Sequence, residues 1–457
     1  VVEGFYGEPY TSEQRRGLIE FLSDVGANAY LYAPKDDPYH RERWRAPYPA
    51  AELMHFEDLA ALGKARGVRF IFGISPGGSY DPATGDLDTL LSKLARIYDT
   101  GVRDFCVLFD DVASDSPGAE PALQASVLTS VWDALREQSD DTSLCFVPNY
   151  YFGTAQQLRD DQPPPQLFGY PEPPSAYYAA YEAIPAEVAI MWTGRRVTPS
   201  TIEASEVRDF QAFVGRRVLI WDNALANDVV LGDELFLGPY LGRKPELAEA
   251  ADGILINPMR QAEASKIMLF TAAKVFEGEA YDPWRALEES IVFASRGGGG
   301  EALARLVEHF ESHPFIGENT ESERLAQAMD AFVVGTSPST EAALRAELVA
   351  LEANHDAFTT ALANEALRTE LEEPSVKLSL LAVAALTALD EWVVQESGGT
   401  ADRASVVSAI EAAQQIPWLA GADTPISGPV SEFLSDRPSK KADVFGAFFD
   451  EMLRWIE

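Results

Sequence analysis

The chain has 457 residues, 46% of them hydrophobic and 11% aromatic, which suits one to three domains with a large core. Asp and Glu number 72 against 36 Lys and Arg, a formal charge of −36 that argues against nucleic acid or an anionic membrane as partner, since both call for basic patches. Five histidines leave little for a multi-histidine metal site, and the two cysteines, Cys106 and Cys145, lie in apolar runs and read as buried thiols rather than a disulfide framework.

In chain order, short β-branched and aromatic runs fall at Val1–Tyr6, Asn28–Pro34, Arg69–Ser75, Asp104–Asp111, Ser143–Tyr150, Val188–Gly194, Arg217–Asn223 and Gly253–Met259. Between most of them lie stretches of helical period, such as "SEQRRGLIEFLSDVG", "LDTLLSKLARIYDTG" and "EASEVRDFQAFVG", several ending in Gly as helix C-termini do. Strand then helix, eight times over about 280 residues, predicts a (β/α)8 TIM barrel. A doubly wound open sheet is the rival. The connection at 224–252 is less regular. After Tyr281 strand signals fade. "RGGGG" at Arg296–Gly300 reads as a flexible break, and the segments beyond it, including "EALARLVEHF", "VKLSLLAVAALTALDEWVV" and "KKADVFGAFFDEMLRWI", repeat apolar residues at three and four. The expected organisation is a catalytic barrel over 1–280 and an all-α helical bundle domain over 281–457. No run nears 18 consecutive apolar residues, so no membrane span is expected. The opening "VVEGFYG" carries no basic n-region and apolar h-region, so the reading leans towards a soluble cytoplasmic protein, although a trimmed chain would read the same.

In such a barrel the chemistry sits at the C-terminal ends of the strands. Those ends read "EGFYG", "YAPKDD", "GISPGG", "FDD", "VPNYYFG", "MWTG", "IWDNALAND" and "INPM". Hydrogen-bonding groups among aromatic walls suit a small, polar, uncharged ligand. "GISPG" matches the G-x-S-x-G elbow but fails as one, because the residue after the serine, Pro76, has no N–H for an oxyanion hole. Lys35 could be a Schiff-base amine, a surface ion-pair partner or a donor to substrate hydroxyls; Asp36 and Asp37 beside it favour its charged form and so oppose the first.

Asp110 and Asp111 end the fourth apolar run. They could hold a divalent metal, charge a helix N-terminus or act as a catalytic pair. Two carboxylates this close do not both ionise easily, so one pKa is expected to rise, as a general acid near neutral pH requires. Neighbours on a regular strand face opposite ways, so both can serve one pocket only where the backbone bends. Adjacent carboxylates are poorly suited to flank a glycosidic bond from both sides. They suit a scheme in which the substrate brings its own nucleophile.

Taken together, "VVEGFYGEPYTSEQR", "YLYAPKDDPYHRERWR", "FGISPG", "LFDDV", "MWTG", "WDNALANDV" with "LFLGPY", and "INPM" resemble glycoside hydrolase family 84, the O-GlcNAcases and related bacterial β-N-acetylglucosaminidases. The match runs in family order over about Val1–Lys274. The helical C-terminal region resembles the family's only in texture. The resemblance implies a retaining exo-β-N-acetylglucosaminidase acting on β-GlcNAc-bearing glycopeptides or glycans, through an oxazoline formed by the sugar's own 2-acetamido oxygen. It makes Asp110 the acceptor of the acetamido N–H and Asp111 the general acid and base. Gly4 would let the backbone approach the sugar, and Lys35 would donate to a ring hydroxyl. Val147 would line the methyl pocket, at a position where some relatives have cysteine. Tyr151, chosen over the adjacent Tyr150 by its distance to Pro148 and Gly153, would lie by the acetamido group. Trp221 would wall that pocket, Asn223 and Asn257 would bond the acetamido group and ring hydroxyls, and Asp228 would hold the 4- and 6-hydroxyls. No metal or organic cofactor is implied. A metal-dependent hydrolase using the Asp pair and a non-catalytic GlcNAc-binding protein are the alternatives.

Overall fold

The computed structural model describes residues 1–169, 172–277, 280–317, 322–418, 434–436 and 444–456. Eight strands, β1 (Val2–Glu3), β2 (Ala29–Tyr32), β3 (Arg69–Ile74), β4 (Asp104–Leu108), β5 (Ser143–Val147), β6 (Ala189–Trp192), β7 (Val218–Asp222) and β8 (Gly253–Ile256), follow one another in the sheet in sequence order. Every neighbouring pair is parallel. A doubly wound sheet reverses its strand order part-way, so this order excludes it, and the eight strands form a nearly closed barrel.

Local sequence sets the strand–helix alternation. The helix Ser12–Asp24 starts at a capping box, with Thr11 Oγ1 accepting from Gln14 N while the Gln14 side chain accepts from Thr11 N. The helices Ala50–Arg66 and Ala204–Val214 stop at Gly67 and Gly215, both left-handed. The two faces of each strand divide cleanly. On β4, Phe105 and Val107 pack outward against the helices, while Cys106 and Leu108 join Val2, Leu31, Ile71, Cys145, Val147, Met191 and Leu255 inside the barrel. Cys106 and Cys145 are cross-strand neighbours there, buried and free.

A buried ion pair fixes the irregular connection after β7. Arg243 grips Asp222 through two bonds of 2.7 Å, both side chains being fully buried. Beyond β8 the described residues are helical, from Ala262–Val275 to Val444–Trp455. The "RGGGG" stretch, expected as a flexible break, is instead a packed junction. A Cβ on Gly299 would lie 2.5 Å from Leu362, and Gly298 O accepts from Ala363 N. Among the described residues one helix, Glu372–Glu396, is long and apolar enough to cross a membrane by length and composition. Here it packs as the central helix of the bundle, with Leu378, Leu381, Ala385 and Leu389 buried.

Candidate active site

The inward face of each strand continues, one step past the strand, into the same cavity. Counting by two from the interior residues Val2, Leu31, Leu108 and Leu255 reaches Gly4, Ala33 then Lys35, Asp110 and Asn257. On β7 the inward Trp221 itself lines the cavity, and Asn223 follows by the same step. The cavity holds about 430 Å³, within the usual range for a small-molecule site. Every residue singled out from the sequence lines it: Gly4, Lys35, Asp110, Asp111, Val147, Tyr151, Trp221, Asn223, Asp228 and Asn257.

Asp111 breaks the alternation. As a strand residue it would face outward, but its φ of +56° turns the backbone into the left-handed region, which Asp tolerates better than most residues. Both carboxylates therefore reach one cavity. Their surroundings differ. Asp110 is buried, and Lys35 donates to its Oδ2. Burial works against its charge, but the cations Lys35 and Arg41 outweigh burial and hold its carboxyl below the usual range. Its second oxygen, Oδ1, is buried and has no hydrogen-bond partner among the described residues. Asp111 is half-buried and accepts on both oxygens, from Tyr6 OH at 2.8 Å and Tyr151 OH at 2.9 Å.

Sequence reasoning missed Tyr6 and Arg41. Arg41 Nη1 donates to Tyr6 OH at 3.0 Å, and Nη2 reaches Asp111 O at 3.3 Å. Burial and the Asp111 charge push the Tyr6 phenol above its ordinary value, so it remains a donor. The signal was available: Tyr6 lies two residues past Gly4 on the same face, in "EGFYG". Lys35, expected to donate to a sugar hydroxyl, donates to Asp110 and lies 5.6 Å from the Trp221 ring centroid. Its neighbours Asp36 and Asp37 turn away, Asp36 to Gly7 N and Asp37 to the hydroxyls of Tyr32 and Tyr48. Tyr151, not Tyr150, faces the cavity; the Tyr150 hydroxyl donates to Glu172 O.

The opposite wall is a chain of amides. Gly4 N donates to Asn257 Oδ1 at 3.1 Å, and Asn257 Nδ2 donates to Asn223 Oδ1 at 3.0 Å. Trp221 Nε1 donates to that same oxygen at 2.8 Å, and Asn223 Nδ2 donates to Val197 O at 2.9 Å. Gly4 was expected to make room for a ligand; the space a Cβ would take there is filled by the Trp221 indole, 2.1 Å away. Asp228 Oδ2 accepts from Tyr6 N at 2.7 Å, and burial raises its carboxyl. Among the described residues no group of three or more His, Cys, Asp or Glu side chains gathers as metal ligands would.

The cavity lies at the C-terminal end of a barrel, and the sequence profile of the beta-N-acetylglucosaminidase family matches residues 1–308. The chain belongs to that family, glycoside hydrolase family 84. It is 32% identical to the protein O-GlcNAcases of Rattus norvegicus and Mus musculus over 283 residues, 60% of this chain. The match spans only 29% of the length of those relatives. Among solved structures, a mutant of the Thermobaculum terrenum O-GlcNAc hydrolase superposes with a TM-score of 0.82 at 23% identity, covering 99% of this chain and 94% of that one. CpGH84B superposes with a TM-score of 0.72 at 25% identity, covering 92% of this chain and 74% of that one. The first of these likenesses extends the shared fold through the helical C-terminal region.

Proposed function

We propose that the protein is a retaining exo-β-N-acetylglucosaminidase that removes terminal β-linked GlcNAc, including O-GlcNAc on Ser or Thr of glycopeptides, by substrate-assisted catalysis. The observation that carries this reading is the unsatisfied Asp110 Oδ1. A buried, ionised oxygen without a donor is costly, and an acetamido N–H directed at it supplies one. That bond turns the acetamido oxygen towards the anomeric carbon. The oxygen then forms a bond to that carbon as the glycosidic bond breaks, and Asp111 gives its proton to the departing oxygen. The charged Asp110 stabilises the oxazolinium, whose positive charge develops on the acetamido group. Water next attacks the anomeric carbon, Asp111 takes its proton and the ring opens to GlcNAc with retained configuration. The intramolecular nucleophile supplies proximity without a nucleophilic side chain.

The roles of Tyr6 and Tyr151 follow. Their hydroxyls hold both Asp111 oxygens, which fixes the carboxyl plane. When Asp111 carries a proton, one of those bonds gives way and that oxygen donates to the leaving group. A sugar without the N-acetyl group would leave the buried Asp110 Oδ1 without a donor, so plain glucosides are rejected.

The test is product release from p-nitrophenyl β-GlcNAc and from an O-GlcNAc peptide, with and without chelator. Asp111→Asn should nearly abolish peptide cleavage and spare the activated aryl glycoside more. Asp110→Asn should lower both by about 10²-fold or more. Near wild-type turnover by either variant, or activity lost to chelator and restored by Mg²⁺, would refute the reading.

A further inference from the structure

The cavity has two populations of lining residues. The polar set, Lys35, Asp110, Asn223 and Asn257, sits at or just past the strand ends. The apolar set, Leu167, Phe168, Val229, Val230 and Leu434, comes from loops and from the far end of the chain. Leu167, Val229 and Val230 are 53%, 71% and 47% exposed, unusual for large aliphatic groups beside a catalytic cavity. Val229 also holds a φ of +51°, strain that a β-branched residue rarely carries, directly after Asp228.

Leu434 is out of place by sequence. It lies more than 170 residues beyond β8, yet it packs half-buried against the barrel-interior cluster and lines the cavity. Polar contacts to the loop after β6 hold it there. Thr198 N donates to Leu434 O at 2.7 Å. Two residues on, Asp436 accepts from Ser200 N at 2.8 Å and from Ser200 Oγ at 3.0 Å, and pairs with Arg195 Nε at 2.9 Å. Arg195 is braced in turn by Glu206 at 2.5 Å.

We propose that Asp436 is a positioning residue that clasps the C-terminal region onto the barrel so that Leu434, with Leu167, Val229 and Val230, forms an apolar subsite for the group attached to the sugar. The inference rests on the reading that the polar floor takes a terminal GlcNAc. The apolar parts of the sugar are its C–H edges and the acetamido methyl, too little to cover four aliphatic side chains at the mouth. Whatever hangs on its anomeric oxygen must leave through the mouth, because the barrel interior below is filled by side chains. The occupant is therefore an uncharged, apolar stretch of the aglycone, and in a glycopeptide it is the residues flanking the glycosylated Ser or Thr. The helical C-terminal region thus completes the site and sets its selectivity.

Two substrate series separate this from the parent reading. The first is a set of alkyl β-GlcNAc glycosides from methyl to hexyl. The second is O-GlcNAc peptides with either Val and Leu or Asp and Glu beside the sugar. In the wild type, kcat/KM should climb with alkyl length and favour the apolar peptide. Leu434→Ala and Asp436→Ala should flatten the alkyl slope and lower kcat/KM for the hexyl glycoside and the apolar peptide about tenfold, mainly through KM. The methyl glycoside should lose far less than the hexyl, and Leu434→Met should restore the slope. If Asp436→Ala fails to fold, the Leu434 pair still decides. A Leu434-dependent alkyl slope in an enzyme that ignores all glycopeptides would uphold the subsite and sink the peptide assignment. An alkyl slope that is flat in the wild type, or equal losses on methyl and hexyl glycosides in both variants, would overturn the subsite.

Discussion

Replacing Gly4 by Ala tests whether the amide wall is set by packing. The new Cβ would stand 2.1 Å from Trp221 Cζ2 and 2.4 Å from Cη2. Carbon atoms rest at about 3.5–4.0 Å, so the indole must retreat by about 1.5 Å. It cannot flex as a long side chain would, because Trp221 is 5% exposed and Nε1 is committed to Asn223. Moving the ring breaks that bond, and Asn223 Oδ1 also receives Asn257. A misplacement of about 1 Å near reacting groups costs about 10²-fold, and overpacking costs about 1–3 kcal/mol of stability. Gly4→Ala should therefore lower kcat/KM for p-nitrophenyl β-GlcNAc by about two orders of magnitude while the protein still folds cooperatively. The added double variant Gly4→Ala/Trp221→Phe, with a smaller ring, should regain stability but not activity, because Phe lacks the donor to Asn223 Oδ1. A Gly4→Ala enzyme with unchanged kcat/KM would refute the argument.

Tyr6→Phe removes one of two donors to Asp111 and releases Arg41, and the loss of one such bond, about 1–1.5 kcal/mol, should lower kcat about tenfold, most for poor leaving groups; equal rates across leaving groups would contradict it. Lys35→Met removes the nearer cation from Asp110. Since Asp110 acts charged and its pKa is held down partly by Lys35, activity is lost on acidification through that pKa, and the acidic limb of the kcat/KM profile should move to higher pH in the variant; an unmoved limb would count against the assignment. His40 and His309 are pushed down to about 4 by burial, against about 6.5 when unfolded. The unfolded chain takes these protons first, so stability is full above about pH 6.5 and declines towards pH 4, by up to about 3 kcal/mol per histidine. Urea midpoints of the wild type and His309→Gln between pH 7 and 4.5 should show a shallower decline in the variant.

Much of this site was written in the alternation of the strands. Cys106, Leu108 and Asp110 share one face, as do Leu31, Ala33 and Lys35, so the barrel reading already directs their polar ends into one mouth. Each expected strand ran past the observed one, as Asp104–Asp111 does against Asp104–Leu108, because the run continues into residues that line the cavity, while single bonds such as Phe109 N to Val147 O still reach the next strand. Three features were not legible. The left-handed turn that redirects Asp111 depends on backbone geometry that Asp permits but does not demand. Arg41 stands in "YHRERWR" among other arginines with nothing in the string to single it out. Leu434 reaches the cavity through contacts more than 230 residues apart, which no local period encodes.

The central claim is that the sugar's own acetamido oxygen performs the displacement under the direction of Asp110. The direct measurement is kcat/KM for aryl β-glucosaminides whose N-acetyl group carries zero, one, two or three fluorines. Fluorine drains the carbonyl oxygen of nucleophilicity while changing the sugar little in size. The account predicts a steep, monotonic fall with each fluorine; a flat series would assign the attack to another group and contradict it.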